Sequence, residues 1–166
     1  DEQWKWLEEQ LKKPAEVRLL ASSIQLVSDD HPFEKWANIP KEREKLHALL
    51  NSTKATGVIV LSGDRHLAEI SLDTKSIGYP LYDVTSSGFN QGSKNWRAPE
   101  ANSKRLAAMP FGDNFGFITI DWSGDDPRVA VQIRDEDGDA TGGLKVRLST
   151  LKGTGTGAAT PVAEEK

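Results

Sequence analysis

A short apolar run between two glycines constrains the fold more than any other feature of the sequence. Residues Val58 to Leu61 are mostly β-branched, are too few for a helix, and lie between Gly57 and Gly63. An apolar run of this length is typical of a strand that is buried on both faces of a sheet. In α/β proteins, binding residues gather at the carboxyl ends of such strands. The run therefore predicts a central strand whose carboxyl end is a candidate site.

Asp64 and His66 come directly after Gly63, two residues apart. Gly63 lets the backbone turn sharply without a Cβ clash. In extended backbone, this spacing places Asp64 and His66 on one side and Arg65 on the other. A carboxylate and an imidazole that point at one place suit a divalent or trivalent metal ion. The alternative is a turn with a capping aspartate and a hydrogen-bonded histidine, because a motif this short often arises by chance.

The Gly-Asp-x-His segment at Gly63 resembles the last metal-binding motif of the calcineurin-like metallophosphoesterases, in the form typical of the alkaline phosphatase D (PhoD-like) family. Other stretches are similar to that family in order and approximate spacing, and together they cover roughly Gln3 to Trp122. They include a Trp-x-x-x-Pro-x-Glu-Arg stretch and a Thr-Ser-Ser-Gly stretch, and in chain order they are Gln3–Leu11, Arg18–Gln25, Glu34–Arg43, Thr85–Gly88 and Asn114–Trp122.

The resemblance implies both a fold and a chemistry. The fold would be part of a metallophosphoesterase-type α/β/β/α sandwich, in which parallel or mixed strands are followed by antiparallel C-terminal strands. The activity would be hydrolysis of phosphoric esters by two-metal catalysis, with Asp64 and His66 as catalytic metal ligands. The family also suggests iron and calcium as the ions, a small phosphate ester as the substrate, and a periplasmic or extracellular location.

Three motifs of that family do not precede Gly63 in this sequence. They are an Asp-containing strand end, a Gly-Asp motif with a bridging aspartate, and a Gly-Asn-His-Asp/Glu motif with an acid–base histidine. The resemblance therefore covers the C-terminal half only, and the missing N-terminal half is the expected partner. Two alternatives stay open. One is a catalytically incomplete remnant that acts as a binding or structural module, and the other is a hydrolase with one mononuclear cluster of Asp30, His31, Asp64 and His66.

Several other residues are weaker candidates for function. Asp30 and His31 lie in a polar loop where they are candidates for substrate binding, although such a loop is more often a solvated turn. His47 lies on a charged helix and is predicted to be solvated. Trp36 and Trp96 lie in polar segments, where either one could wall a pocket or cover the edge of the core.

Two further segments qualify the metal predictions. Ser22 to Gln25 stands where other metallophosphoesterases have a histidine at a strand end, so the second metal position is left open. Asp135, Asp137 and Asp139 alternate as calcium ligands do, but Gly138 is misplaced for a calcium loop and no glutamate closes it. An Asp-Gly pair between alternating runs instead predicts a β-hairpin.

Periodicity predicts one domain over residues 1–152 and a flexible Gly/Thr-rich tail over residues 153–166. Helices are expected near Trp4 to Leu11 and over Lys41 to Leu50. The segment from Gly88 to Gly112 predicts a long loop or a short helix near Ala101 to Ala108. Strands are expected over Val17–Val27, Val58–Leu61, Leu67–Leu72, Leu81–Thr85, Phe117–Trp122, Arg128–Arg134 and Leu144–Leu148.

Composition excludes several classes of protein. The 166 residues carry a formal net charge of −4. Because binding to nucleic acid needs a basic surface, no nucleic-acid partner is expected. The sequence contains no cysteine, so disulfides, thiolate metal ligands and a cysteine nucleophile are excluded. No run reaches the roughly 18 apolar residues of a membrane span, and no signal peptide is recognised at the start of the sequence.

Overall fold

The structure is a computed structural model that describes residues 1–94, 100–109 and 111–162. Three α-helices and nine strands form in these residues, with a single turn of 3-10 helix at Trp36–Asn38. In chain order the helices are α1 (Glu2–Leu11), α2 (Pro40–Ser52) and α3 (Leu148–Leu151). The strands are β1 (Arg18–Ala21), β2 (Val58–Ser62), β3 (Ala68–Asp73), β4 (Leu81–Ser86), β5 (Arg105–Met109), β6 (Asn114–Asp121), β7 (Arg128–Asp135), β8 (Ala140–Arg147) and β9 (Thr160–Pro161).

The first sheet is mixed and has the order β1-β2-β4-β3-β5. Strand β2 lies between β1 and β4 and is parallel to both, and α2 connects β1 to β2 along the chain. The side chains of Val58, Ile59 and Val60 are completely buried. The prediction of a central strand with parallel neighbours is therefore confirmed.

The second sheet is antiparallel and has the order β6-β7-β8-β9. One hydrophobic cluster fills the space between the two sheets, where Ile59, Ile70 and Val84 pack against Val131 and other apolar residues of β7 and β8. A second cluster fills the space between the first sheet and the helices. The protein is therefore of the α/β class, with a mixed sheet followed by antiparallel strands, as the sequence predicts.

Strand β1 is shorter than the predicted strand over Val17 to Val27. It ends at Ala21, and the chain then crosses the helical face of the first sheet. The backbone N–H groups of Leu26 and Val27 donate to the Asp83 carboxylate, at 2.7 and 2.9 Å, and do not join a strand ladder. Leu26 and Val27 are apolar because they pack into the core under the helices.

The short helix predicted near Ala101 to Ala108 is not formed. Residues Arg105–Met109 form β5, which pairs antiparallel with β3 at the edge of the first sheet. Leucine, alanine, arginine and methionine all favour helices, but the open edge of β3 offers backbone hydrogen bonds that override this weak preference.

The hairpin predicted around Gly138 is formed, whereas Leu148, predicted to end the last strand, begins α3, and the predicted tail contains a strand. Gly138, with a φ of +88°, lies in the turn between β7 and β8, and the Asp135 carboxylate accepts the N–H of Asp137 and of Asp139. A hairpin therefore forms there. Within the predicted tail, Thr160–Pro161 forms β9 beside β8. In the part of the chain that is described, none of the helices has the length and apolar character required to cross a bilayer.

Candidate functional site

The Asp64–His66 segment forms a tight turn at the carboxyl end of β2. Asp64 and His66 are exposed, whereas Arg65 is buried. The alternating exposure agrees with the sequence prediction, but the backbone is bent and not extended. Asp64 has a φ of +70° and His66 has a φ of +54°. Residues with a Cβ adopt this left-handed conformation at a cost, and such outliers cluster at functional sites.

Hydrogen bonds from the end of β4 hold this turn. The Oγ atom of Ser87 accepts the backbone N–H of Arg65 at 2.9 Å and that of His66 at 3.1 Å. The backbone N–H of Ser87 donates to the carbonyl of Leu67, and the N–H of Ser93 donates to the carbonyl of His66. The backbone of the turn is therefore fixed from two neighbouring segments.

The Arg65 side chain extends from the turn into the protein interior and stabilises the turn there. Its guanidinium donates to the Glu100 carboxylate at 2.7 Å, with only 4% of the Arg65 side chain exposed. The guanidinium carbon also lies 4.7 Å from the centre of the Phe33 ring, which is a cation–π distance. Arg65 therefore links the turn to the loop after β1 and does not face solvent.

The side chains of Asp64 and His66 are unpaired in the described part of the structure. Neither side chain forms a hydrogen bond or an ion pair with any other described residue, so a carboxylate and an imidazole are both free to bind. Two side chains do not complete a site, however. Within residues 1–94, 100–109 and 111–162, no group of three or more His, Asp or Glu residues could hold a metal ion. Further ligands would have to come from outside the described residues.

A polar cleft of about 710 Å³ opens beside His66. Gly92 and Gly112, which both line the cleft, meet backbone to backbone, since a Cβ atom on Gly92 would lie 1.9 Å from the Gly112 carbonyl oxygen. The N–H of Gly92 also donates to the Asp113 carboxylate at 2.9 Å. The cleft is lined by His66, Asn90, Gln91, Gly92, Ser93, Lys94, Gly112, Asp113 and Glu136.

The Asp30–His31 loop approaches the buried side of the turn, where the Arg65 guanidinium contacts Phe33. Asp30 is exposed and accepts the backbone N–H of Ser103 at 2.6 Å. His31 is 2% exposed, and its Nδ1 atom accepts the backbone N–H of Phe33. Burial, together with the charges of Arg65 and Lys35, lowers the pKa of His31 to about 4. The structure does not bring Asp30 and His31 into one metal-binding group with Asp64 and His66 in its described part.

Three other predicted positions are His47, Trp36 and Trp96. His47 is half buried rather than solvated, and burial lowers its pKa. Its Nε2 atom is buried and has no hydrogen-bond partner in the part of the chain that is described. Trp36 lines an apolar groove of about 430 Å³ between α1 and α2 and donates from Nε1 to the Ser22 hydroxyl. Trp96 lies outside the described residues.

Sequence reasoning missed a buried polar network on the helical face of the first sheet. Glu69 in β3 is 1% exposed, and its Oε1 atom accepts hydrogen bonds from Gln25 at 2.5 Å and from Asn102 at 3.1 Å. Its Oε2 atom accepts from Arg105 at 2.5 Å. The network therefore ties the loop after β1 to β3 and β5.

Asp83 in β4 forms the other half of this network. One of its oxygens accepts the N–H groups of Leu26 and Val27, and the other accepts the Ser62 hydroxyl at 2.6 Å. Burial raises the pKa of Asp83 to about 6, while the hydrogen bonds from Ser62 and the two N–H groups act in the opposite direction. The Asp83 carboxyl therefore pins the loop that carries His31.

Comparisons with known proteins support the fold. No protein-family model matches the sequence, and no curated protein matches it. Among solved structures, the chain is similar to one titled "Structure of PhoD", with a TM-score of 0.68 and 16% sequence identity. The match covers 100% of this chain and 35% of that chain. The chain thus spans about a third of the length of that structure, and the similarity shows a PhoD-like fold.

Proposed function

We propose that this chain forms the C-terminal part of a metal-dependent phosphoric ester hydrolase, in which Asp64 and His66 are two of the metal ligands. One observation carries the proposal. In a PhoD-like fold, a strained turn at the carboxyl end of the central strand exposes a carboxylate and an imidazole that have no partner among the described residues. Carboxyl ends of buried strands are where α/β proteins bind their ligands.

The chain contributes binding and orientation to the proposed chemistry. Asp64 supplies a negative charge, and His66 binds through a neutral ring nitrogen. When bound, the ions supply positive charge that stabilises the charge developing on the phosphoryl group. The polar cleft beside His66 is placed to accept the rest of a small phosphate ester. The remaining ligands and the acid–base histidine belong to the N-terminal half that the proposal requires.

In a protein that also contains the N-terminal half, removing either ligand should weaken metal binding at the turn. We expect that His66→Ala, which removes a nitrogen donor, and Asp64→Asn, which removes a charge, each weaken Mn²⁺ binding by about tenfold or more. The broadening of NMR signals from residues 64–66 on addition of Mn²⁺ measures this binding at the site. Asp137→Asn is the matched control, because Asp137 is exposed in the turn between β7 and β8. Unchanged broadening in both variants would show that these side chains are structural.

A second candidate function is an incomplete remnant that acts as a binding or structural module. It is favoured by one observation, namely that the described residues contain no group of three or more potential metal ligands. In that case Asp64 and His66 would have a structural role. His66→Ala would then lower the melting temperature while metal content stayed at the wild-type level.

The chain expressed alone should not hydrolyse a generic aryl phosphate at a measurable rate. We expect this result because the bridging aspartate, the asparagine ligand and the acid–base histidine of the resembled family do not precede Gly63. Release of p-nitrophenol from p-nitrophenyl phosphate, with Mn²⁺, Fe³⁺ or Ca²⁺ added, measures the activity. Turnover of about 1 to 1,000 per second, the range of ordinary enzymes, would mean that the N-terminal half is unnecessary.

A further inference from the structure

We propose that Ser87 is a positioning residue, whose hydroxyl holds the turn at Asp64–His66 and thereby sets where the Asp64 and His66 side chains lie. The inference rests on the proposed metal-binding role of these two residues. It adds a residue that lies 21 positions beyond His66 in sequence and that does not itself bind the ion.

The geometry of the Ser87 hydroxyl supports this role. Its Oγ atom accepts two successive backbone N–H groups, from Arg65 at 2.9 Å and from His66 at 3.1 Å. Successive N–H groups that converge on one point form a backbone concavity of the kind that binds anions. Here the concavity holds an oxygen of the same chain, so the turn is stabilised from within.

The backbone of the turn needs such support. Asp64 and His66, on either side of Arg65, are both left-handed, with φ values of +70° and +54°. Neither residue is glycine, so each conformation is unfavourable and persists only where the surrounding structure imposes it. The two hydrogen bonds to the Ser87 hydroxyl end within this turn, and their loss leaves fewer restraints on the backbone that orients both side chains.

Strand register explains why Ser87 lies at the turn. Strands β2 and β4 are parallel, and Ser62 in β2 lies opposite Thr85 in β4. Both strands therefore end at the same edge of the sheet. Ser87 follows Thr85 by two residues, as Asp64 follows Ser62. The parallel pairing thus brings the Thr-Ser-Ser-Gly stretch to the Gly-Asp-x-His motif.

The test compares two substitutions at Ser87 with a matched control. Ser87→Ala removes the acceptor, and Ser87→Thr keeps a hydroxyl oxygen. Ser86→Ala makes the same change one residue earlier, where the side chain lies near Gly116 and not at the turn. Two measurements are made on each labelled protein: amide hydrogen exchange at Arg65 and His66, and Mn²⁺-induced broadening of the signals of residues 64–66.

We expect Ser87→Ala to speed exchange at both amides by about tenfold or more, because their acceptor is gone. Mn²⁺ affinity should fall by about tenfold or more, as it does when partners that orient metal ligands are removed. Ser87→Thr should restore both values, and Ser86→Ala should leave both unchanged. A defect that Ser87→Thr rescues is a property of the hydroxyl and not of general destabilisation.

Three results would contradict the inference in distinguishable ways. Unchanged exchange in Ser87→Ala would show that the hydroxyl does not hold the turn. Faster exchange with unchanged Mn²⁺ affinity would show that holding the turn does not position Asp64 and His66. Absence of Mn²⁺ broadening at the turn in a protein that also contains the N-terminal half would overturn the proposed metal-binding function, and the exchange data would then decide only whether Ser87 holds the backbone.

Discussion

Replacing Glu69 by alanine should destabilise the protein by about 3–5 kcal/mol, the usual cost of removing one partner from a buried ion pair. Glu69 is 1% exposed and accepts a hydrogen bond of 2.5 Å from the Arg105 guanidinium. The substitution leaves the Arg105 charge without this partner, with only 19% of its side chain exposed. It also leaves the amide N–H groups of Gln25 and Asn102 without the acceptor that they share.

The free energy of unfolding in urea measures this cost. Glu16→Ala is the matched control, because Glu16 forms an ion pair with Lys152 in which 60% of the Glu16 side chain is exposed. The control should change stability by less than about 1 kcal/mol, as for most surface ion pairs. Arg105→Ala combined with Glu69→Ala should cost less than the sum of the single variants, because the pair is then removed as a unit. Strictly additive costs would show that the two side chains do not interact.

Glu69 shows that the alternating pattern predicts strand β3 correctly but does not predict that the polar face of the strand is buried. Glu69, Ser71 and Asp73 alternate with apolar residues in β3, as in a strand with one solvated face. Their face of the sheet is instead covered by the loop after β1 and by the segment around Asn102. The alternation is a local pattern that can be recognised in the sequence. The segments that cover this face are distant in sequence, so the periodicity of β3 does not predict them.

The candidate site was predictable only in part for the same reason. Gly63 followed by Asp64 and His66 marks the end of a buried strand and is visible as a short motif. The left-handed backbone of the turn was not predictable, because aspartate and histidine adopt this conformation only in a small minority of cases. The Ser87 hydroxyl that supports the turn comes from another strand. Long-range hydrogen bonds of this kind leave no trace in local composition.

Stability should depend on pH through two buried groups whose effects have opposite signs. The pKa of Asp83 is raised by burial from 3.8 to about 6, with a small contribution from the charge of Glu69. Between these pH values the folded state binds the proton more tightly than the unfolded state. Ionisation of Asp83 therefore lowers the free energy of unfolding as pH rises through this range, by about 3 kcal/mol once pH lies well above both pKa values.

The buried imidazole acts in the other direction. Burial lowers the pKa of His31 from 6.5 to about 4. In this window the unfolded state binds the proton more tightly, so this contribution to stability is present above pH 6.5 and is lost as pH falls towards 4. The windows of Asp83 and His31 overlap almost completely, so their slopes partly offset each other in the wild-type protein.

Single substitutions should separate the pH dependence of stability that comes from Asp83 from the one that comes from His31. Asp83→Asn keeps an acceptor for Leu26 and Val27 but cannot ionise, so its stability relative to wild type should rise by about 2 kcal/mol from pH 4 to pH 6. His31→Asn keeps an acceptor for the Phe33 N–H but carries no titrating ring. Its stability relative to wild type should rise as pH falls from 6.5 to 4. Urea unfolding at half-unit steps of pH measures both differences.

If the difference in unfolding free energy between Asp83→Asn and wild type does not change between pH 4 and pH 6, Asp83 has a pKa near its ordinary value. The hydrogen bonds from Ser62, Leu26 and Val27 would then have offset the whole cost of burying the charge, since donors to a carboxylate favour its ionised form. Burial instead sets the pKa of both groups if, relative to wild type, the stability of Asp83→Asn rises with pH and the stability of His31→Asn falls with pH. Protonation of the Asp83 carboxyl would then favour the folded state at low pH, and the uncharged His31 imidazole would favour it at neutral pH.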